Sequence, residues 1–303
     1  GALWNSWLDR DLGLAGIVYT DQEKKCVNLK IKARVPQLAI HLDRNVNKEG
    51  LKLNPQNNLN PIVSHHKSIL ECISAEVKGN IISHDLCFYD LQEASTGGAE
   101  KEWIYAARLD NLAMTHAAID ALLQSNDRTS IAVAACFNHE EIGSSSAEGA
   151  GSNFLESVLR RIHHAFDKDS DLQIRLANSF LLSADMAHAL HPNYTDRHDS
   201  YHKPLMGKGP VLKTNVNQRY ATNPASTAFI KELAKKAQIN LQDFQGHNNI
   251  SCGSTIGPMT AAKLGISTID IGNAMLSMHS AREMAHLNDH IDMIKLMKAW
   301  YQS

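Results

Sequence analysis

The residues of this chain whose types and spacing can do chemistry are acids and histidines that follow directly on short apolar runs. Asn138-His139-Glu140-Glu141-Ile142-Gly143-Ser144 comes after the run that ends at Phe137. Two adjacent carboxylates there read either as solvated acids in a turn or as a pair whose mutual repulsion is relieved by a nearby cation. Ser183-Ala184-Asp185-Met186-Ala187-His188 follows a second apolar run, and Asp185 there is a cap or a ligand. Arg108-Leu109-Asp110-Asn111-Leu112 stands just before a helical pattern, so Asp110 or Asn111 reads first as an N-cap. Met278-His279-Ser280 follows Asp270-Ile271-Gly272, and a lone histidine in such a place ordinarily carries nothing. Taken jointly, Asp110, Glu140, Glu141, Asp185 and His279 are oxygen and imidazole donors placed where strands run out, which is where open α/β sheets bind ligands. That donor set suits a hard-to-borderline divalent metal.

The histidine count of 16 adds little by itself. His65, His66, His84, His163, His164, His286 and His290 are assigned to the surface or to hydrogen-bonded core positions.

The elements that must hold these residues fall into two patterns. Residues 16–19 and 26–33 alternate as short strands, and a polar, Asn-rich loop spans 45–60, so residues 1–80 read as a small β-rich module. From about Ile81 strands alternate with helices, which gives an α/β domain over 81–303 with a mixed central sheet covered by helices on both faces. Residues 130–137, 179–183 and 266–271 read as buried strands, and 111–123, 152–166, 226–237 and 280–300 carry apolar residues at helical spacing.

Composition excludes several functions. The net charge of -2, with 30 basic and 32 acidic residues, is not that of a polyanion binder, so nucleic acid is not expected as a partner. No apolar run approaches the roughly 20 residues that span a bilayer, and the first ten residues lack a signal-peptide pattern. The 5 cysteines are odd in number, widely spaced and free of C-x-x-C pairs, which fits a reducing compartment and a cytoplasmic location. The chain opens on Gly1 rather than methionine, in a segment that reads as the inside of a domain; a fragment or a processed form is expected.

The strings around Asp110, Glu140-Glu141, Asp185 and His279, the last extending to Arg282-Glu283, resemble in order the signature blocks of the aspartyl aminopeptidase family. So do Gly1-Ala2-Leu3-Trp4 with Trp7-Leu8-Asp9-Arg10-Asp11-Leu12, and Cys252-Gly253-Ser254-Thr255-Ile256-Gly257-Pro258. The resemblance spans the whole chain and implies a zinc-aminopeptidase fold with two zinc ions per active site, either of which another divalent ion can replace. It makes Asp110 the carboxylate bridging both ions, gives Glu141 and His279 to one and Asp185 to the other, and makes Glu140 the general base. It implies substrates with an acidic N-terminal residue, with Lys213 as the cation of the first pocket, although by itself Lys213 reads equally as a surface lysine. His188 lines that pocket or orients a ligand, and His41, otherwise an ordinary strand histidine, enters a neighbouring subunit's active site in a large closed homo-oligomer.

This sequence departs from the family pattern too. The family's upstream H-x-D motif does not occur before the tryptophan block, so the expected metal site is one imidazole short, with at most one ion held tightly and little or no activity. Ala2 replaces a usual glycine, and Asn249 and Ser251 stand where Asp and Pro are common, which touches substrate contacts rather than the fold. Two rivals follow: a related two-metal aminopeptidase with neutral or glutamyl preference, and a non-catalytic fragment acting as an assembly or binding component.

Overall fold

Lysines alternate with apolar residues in the stretch Lys24–Ala33, and that period of two makes it a strand with one wet face. In the computed structural model, which describes residues 1–126, 130–167 and 169–303, β1 (Leu12–Thr20) and β2 (Lys24–Ala33) pair antiparallel, burying Val27, Leu29 and Ala33. The Thr20 hydroxyl closes the turn between them by accepting from the backbone of Gln22 and Glu23. Short helices α1 (Val46–Glu49), α2 (Pro55–Asn58) and α3 (Ile69–Ser74) follow. Asn54 caps α2 with Pro55 in its first turn, and Ser68 with Glu71 forms a reciprocal capping box on α3. Then β3 (Ile81–Asp90) returns to pair with β1, giving the order β2-β1-β3 over a core of Leu14, Val18, Val27, Leu29 and Ile73.

By its contacts the chain divides into two units, one of Ala2–Ser95 with His279–Arg282, the other of Gly1, Thr96–Met278 and Glu283–Ser303. The divide along the chain therefore falls at Ser95 and not near residue 80, because β3 pairs with β1 along its length and belongs to the same sheet. His41 lies in an exposed turn rather than a strand, where Leu42 donates to the Ala39 carbonyl.

The strands of the larger unit form a four-stranded and a five-stranded sheet. β4 (Ser95–Gly97) and β5 (Trp103–Ala106) lead to α4 (Leu109–Leu123); α5 (Phe154–Phe166), α6 (Leu172–Ala177), β6 (Phe180–Ala184) and β7 (Ala187–His188) follow. Next come β8 (Val211–Thr214), α7 (Pro224–Lys236), β9 (Gln242–Gln245), α8 (Ile256–Leu264), β10 (Ser267–Gly272), β11 (Ala274–Leu276), β12 (Glu283–His286) and α9 (Leu287–Tyr301). A four-stranded sheet runs β6-β10-β8-β9, with β8 antiparallel to β10, and a five-stranded sheet runs β4-β5-β12-β11-β7.

Alternation along β6 shows how the first sheet is covered on both faces. Phe180, Leu182 and Ala184 join the main core with Met114 of α4, Ile230 of α7 and Met293 of α9, while Leu181 joins Leu159 of α5, Leu172 of α6 and Leu264 of α8. The α/β class with helices on both faces is thus present.

Two expected elements differ. Residues 130–137 are no strand: none of the described strands pairs with them, and Ile131 is 57% exposed, so the apolar run lacks a ladder. The segment 280–300 is not helical throughout; its first part is β12, which pairs with both β5 and β11, and the helix begins at Leu287 where His286 caps it by accepting from the Asn288 amide. Among the described residues no helix is long and apolar enough to cross a membrane, and the five cysteines are free thiols.

Asp270 ties the four-stranded sheet to its flanking loops. It is 0% exposed and accepts from the Ser183 and Thr255 hydroxyls at 2.7 and 2.6 Å and from the Ala221 amide at 2.6 Å. Replacing it by alanine strands two buried hydroxyls and a part-buried amide, each buried donor costing about 1–3 kcal/mol when unsatisfied. Asp270→Ala is expected to lower stability by about 3 kcal/mol or more, read as a lower urea midpoint at unchanged slope.

Candidate metal centre

The chain reaches Asp110 through a left-handed Arg108 at φ 60°, and Asp110 and Asn111 themselves lack helical dihedrals although they open α4. Neither caps the helix. The Asp110 amide donates to Glu283 Oε2 at 3.0 Å, and Asn111 Nδ2 donates to the Ala184 carbonyl at 2.8 Å. These two bonds fasten the start of α4 to the first residue of β12 and the end of β6, so the Asp110 carboxylate is carried by three elements at once.

Glu140 and Glu141 sit in a short 3-10 turn bracketed by residues with positive φ, His139 at 58° and Gly143 at 102°. The loop that carries them is bonded to itself. Asn138 donates to Glu148 twice, from its amide to the carbonyl and from Nδ2 to the carboxylate, the Ser144 amide donates to the His139 carbonyl, and His139 Nδ1 lies 2.6 Å from the Ser146 hydroxyl.

Asp185 follows β6, and its amide donates to the Ile271 carbonyl of β10 at 3.0 Å. The next residue of that strand must be small: a Cβ on Gly272 would fall 1.7 Å from the Asp185 carbonyl oxygen. Gly272 is therefore part of what sets Asp185 in place. His279 lies in the link between β11 and β12 with φ 67°, its carbonyl accepting from the Leu3 amide.

Asp110, Glu141 and His279 each offer a ligand atom, and these atoms all lie within 4.8 Å of one another. Asp185 and Glu140 are not in that group of three, but the charge of Asp185 acts on Asp110. Burial first, then the negative charges of Asp185, Glu141 and Glu283, push the Asp110 carboxyl up to about 9. Carboxylates crowded in a half-buried site disfavour one another's ionisation, and a divalent cation reverses that sign. Two carboxylates with one imidazole are also a donor set that zinc accepts. The residues present fit such an ion on both counts.

Lys213 is 2% exposed, which removes the surface-lysine reading. Its ammonium donates to Asp185 Oδ2 and the Met186 carbonyl, both at 3.1 Å, with the Tyr220 ring 5.2 Å away. His188 is exposed on β7 and faces Phe244 at 6.2 Å between ring centroids. His188 lines a cavity of about 530 Å³ with His198, Tyr220, Phe244, His247 and Cys252 among others, a size typical of small-ligand sites, and Lys213 reaches its wall through the Tyr220 ring. Burial holds the His198 imidazole below its ordinary range and pushes the Tyr220 hydroxyl up.

The residue-level reading missed Glu283 and Tyr220. Glu283 is 2% exposed and acts on Asp110 through both its charge and a hydrogen bond. The available signal was an acid at the start of an alternating strand, but a helical reading of 280–300 hid it. Tyr220 lies in an Asn-rich stretch with no periodicity to mark it.

Two carboxylates and an imidazole converging within 4.8 Å in an α/β fold suit a metal-dependent enzyme. The family model described as aminopeptidase I zinc metalloprotease (M18) matches residues 1–301, and the chain belongs to that family. It is 38% identical to a probable aspartyl aminopeptidase of Ricinus communis over the full chain, covering 73% of that protein. Its structure resembles Ape4 in a solved Ape4–Nbr1 complex, with TM-score 0.89 and 38% identity, the whole chain matching 65% of Ape4. It also resembles the Saccharomyces cerevisiae mApe1 dodecamer, with TM-score 0.80 and 28% identity over 99% of this chain and 71% of that one. The chain thus spans about two thirds to three quarters of these relatives.

Proposed function

We propose that the protein is a zinc aminopeptidase that removes acidic residues from the N-terminus of peptides. The observation that carries this reading is the convergence of Asp110, Glu141 and His279 ligand atoms within 4.8 Å, on a chain whose family is one of zinc metalloproteases. Asp110, Glu141 and His279 would hold one ion, and Asp185 with a share of Asp110 would hold a second. Bound zinc would supply Lewis acidity to the scissile carbonyl and to the attacking water. Glu140, next to Glu141 but outside the ligand group, takes the proton of that water at its carboxylate and delivers it to the leaving amine.

Preference for an acidic substrate residue rests on Lys213. An ammonium carries three protons, two of which go to Asp185 and the Met186 carbonyl. The third would meet a substrate carboxylate, in a setting from which water is largely excluded and where a charge-assisted bond is strong. His188 and Tyr220, whose ring lies beside the Lys213 ammonium, line the neighbouring cavity. The exposed His41 turn of the smaller unit is available to a neighbouring copy, and self-assembly into a closed homo-oligomer is part of this reading. A cytoplasmic site of action suits five free thiols.

The test is hydrolysis of matched peptides beginning with aspartate or leucine. Whatever hydrolysis the zinc-loaded protein carries out is expected to favour aspartate, to stop on chelation and to recover with zinc; Lys213→Ala is expected to lose the preference by about 10–100-fold. Release of leucine as fast as aspartate by the unsubstituted protein would rule out the acidic specificity, and activity that survives chelation would rule out the metal mechanism.

A further inference from the structure

Helices α4 and α9 pack side by side through Met114, Ala117 and Ala121 on one and Met293, Leu296 and Met297 on the other. Next to this seam His290 Nε2 lies 3.1 Å from His116 Nδ1, with ring centroids 5.1 Å apart. Neither histidine stands at a strand end, and neither belongs to the centre described above. We propose that His116 and His290 form a separate inter-helix site for a borderline divalent ion, with the two imidazole nitrogens as protein ligands and water completing the coordination.

The spacing is that of two ligands on one ion. Nitrogens about 2.0–2.1 Å from a metal and 3.1 Å apart subtend an angle of about 100° at it, between octahedral and tetrahedral values. Imidazole is the ligand that zinc, nickel and copper favour among protein side chains of this kind. The protonation state is also right: burial, then the neighbouring His116, hold His290 below the usual histidine range, which keeps a lone pair available near neutral pH. Asp120, one helical turn after His116 on the same face of α4, opposes that shift and adds negative charge near the pair while accepting from Gln124 Nε2 at 2.8 Å. His290 Nδ1 is buried with no hydrogen-bond partner among the described residues. With no such partner at Nδ1, the ring is placed by packing and by its Nε2 contact with His116 alone.

The competing account is a plain hydrogen bond between neutral imidazoles, and nickel separates the two. Zinc-loaded protein, freed of excess zinc, is titrated with nickel chloride while thermal unfolding and bound nickel are measured. At nickel concentrations about 100 times the dissociation constant, Tm is expected to rise by about 5 °C with one nickel bound per chain. The rise and the bound ion should persist in His279→Gln, which alters only the centre described above, and disappear in His116→Gln and in His290→Gln. His116 is exposed, so its variant is expected to fold normally. No rise in the unsubstituted protein, or an undiminished rise in His116→Gln, overturns the proposal. Aminopeptidase activity is read separately, and its presence or absence does not bear on this site.

Discussion

Glu140→Gln is expected to lower kcat by about 10²–10⁴-fold while zinc content and thermal stability stay close to those of the unsubstituted protein. The magnitude is that of a general base removed without changing side-chain shape. The reason for expecting retained metal is positional: Glu141 is one of the three residues whose ligand atoms converge, and Glu140 is not. Both occupy one 3-10 turn, where adjacent side chains point in different directions, and the positive φ of His139 and Gly143 holds that turn in a single shape. Metal analysis beside the kinetics decides the roles. A variant that loses zinc along with turnover would mean that Glu140 is the ligand and Glu141 the base.

The second large effect concerns Asp110 in the metal-free protein. With its carboxyl pushed up to about 9 by burial and by Asp185, Glu141 and Glu283, the folded state holds a proton that the unfolded chain, near its ordinary value of about 4, has already released. Between those two values the folded state binds more protons than the unfolded one. Stability therefore falls as pH rises from about 4 and levels off once pH passes about 9. Asp110→Asn removes that dependence. At pH 8 the metal-free variant is expected to be more stable than the metal-free parent, by on the order of 2 kcal/mol once solvent screening of a half-buried cluster is allowed for. At pH 4 the two should unfold alike. With zinc present the order reverses, because asparagine is a poor substitute for an ionised ligand and the stabilisation from binding is lost. Denaturant titrations at both pH values, with and without zinc, check all three arms; equal stability of the metal-free pair at pH 8 would show that the carboxylate crowding has no energetic consequence.

Much of this protein was legible in its residues because two signals are local. Alternation in residues 26–33 and the helical spacing of residues 111–123 depend only on neighbours within a few positions, and a strand and a helix of the expected kinds span them, each starting two residues earlier. Acids after apolar runs are equally local, which is why Asp110, Glu141, Asp185 and His279 could be singled out and, through their order along the chain, tied to a family.

What depended on pairing was not legible. Residues 130–137 have a strand's composition and no ladder, while residues 283–286 form a strand inside an apparent helix because β5 and β11 lie on either side of them. Side-chain partners across long separations were hidden for the same reason. Glu283 meets the Asp110 amide over 173 positions, and His290 meets His116 over 174. Lys213 shows the limit most clearly: its type announced a cation, but only the fold decided that it would be buried with its nitrogen 3.1 Å from Asp185. The sequence determined which groups this protein has to work with and which short elements carry them. Tertiary structure decided which of those groups face each other, because desolvation and charge act through space and take no account of distance along the chain.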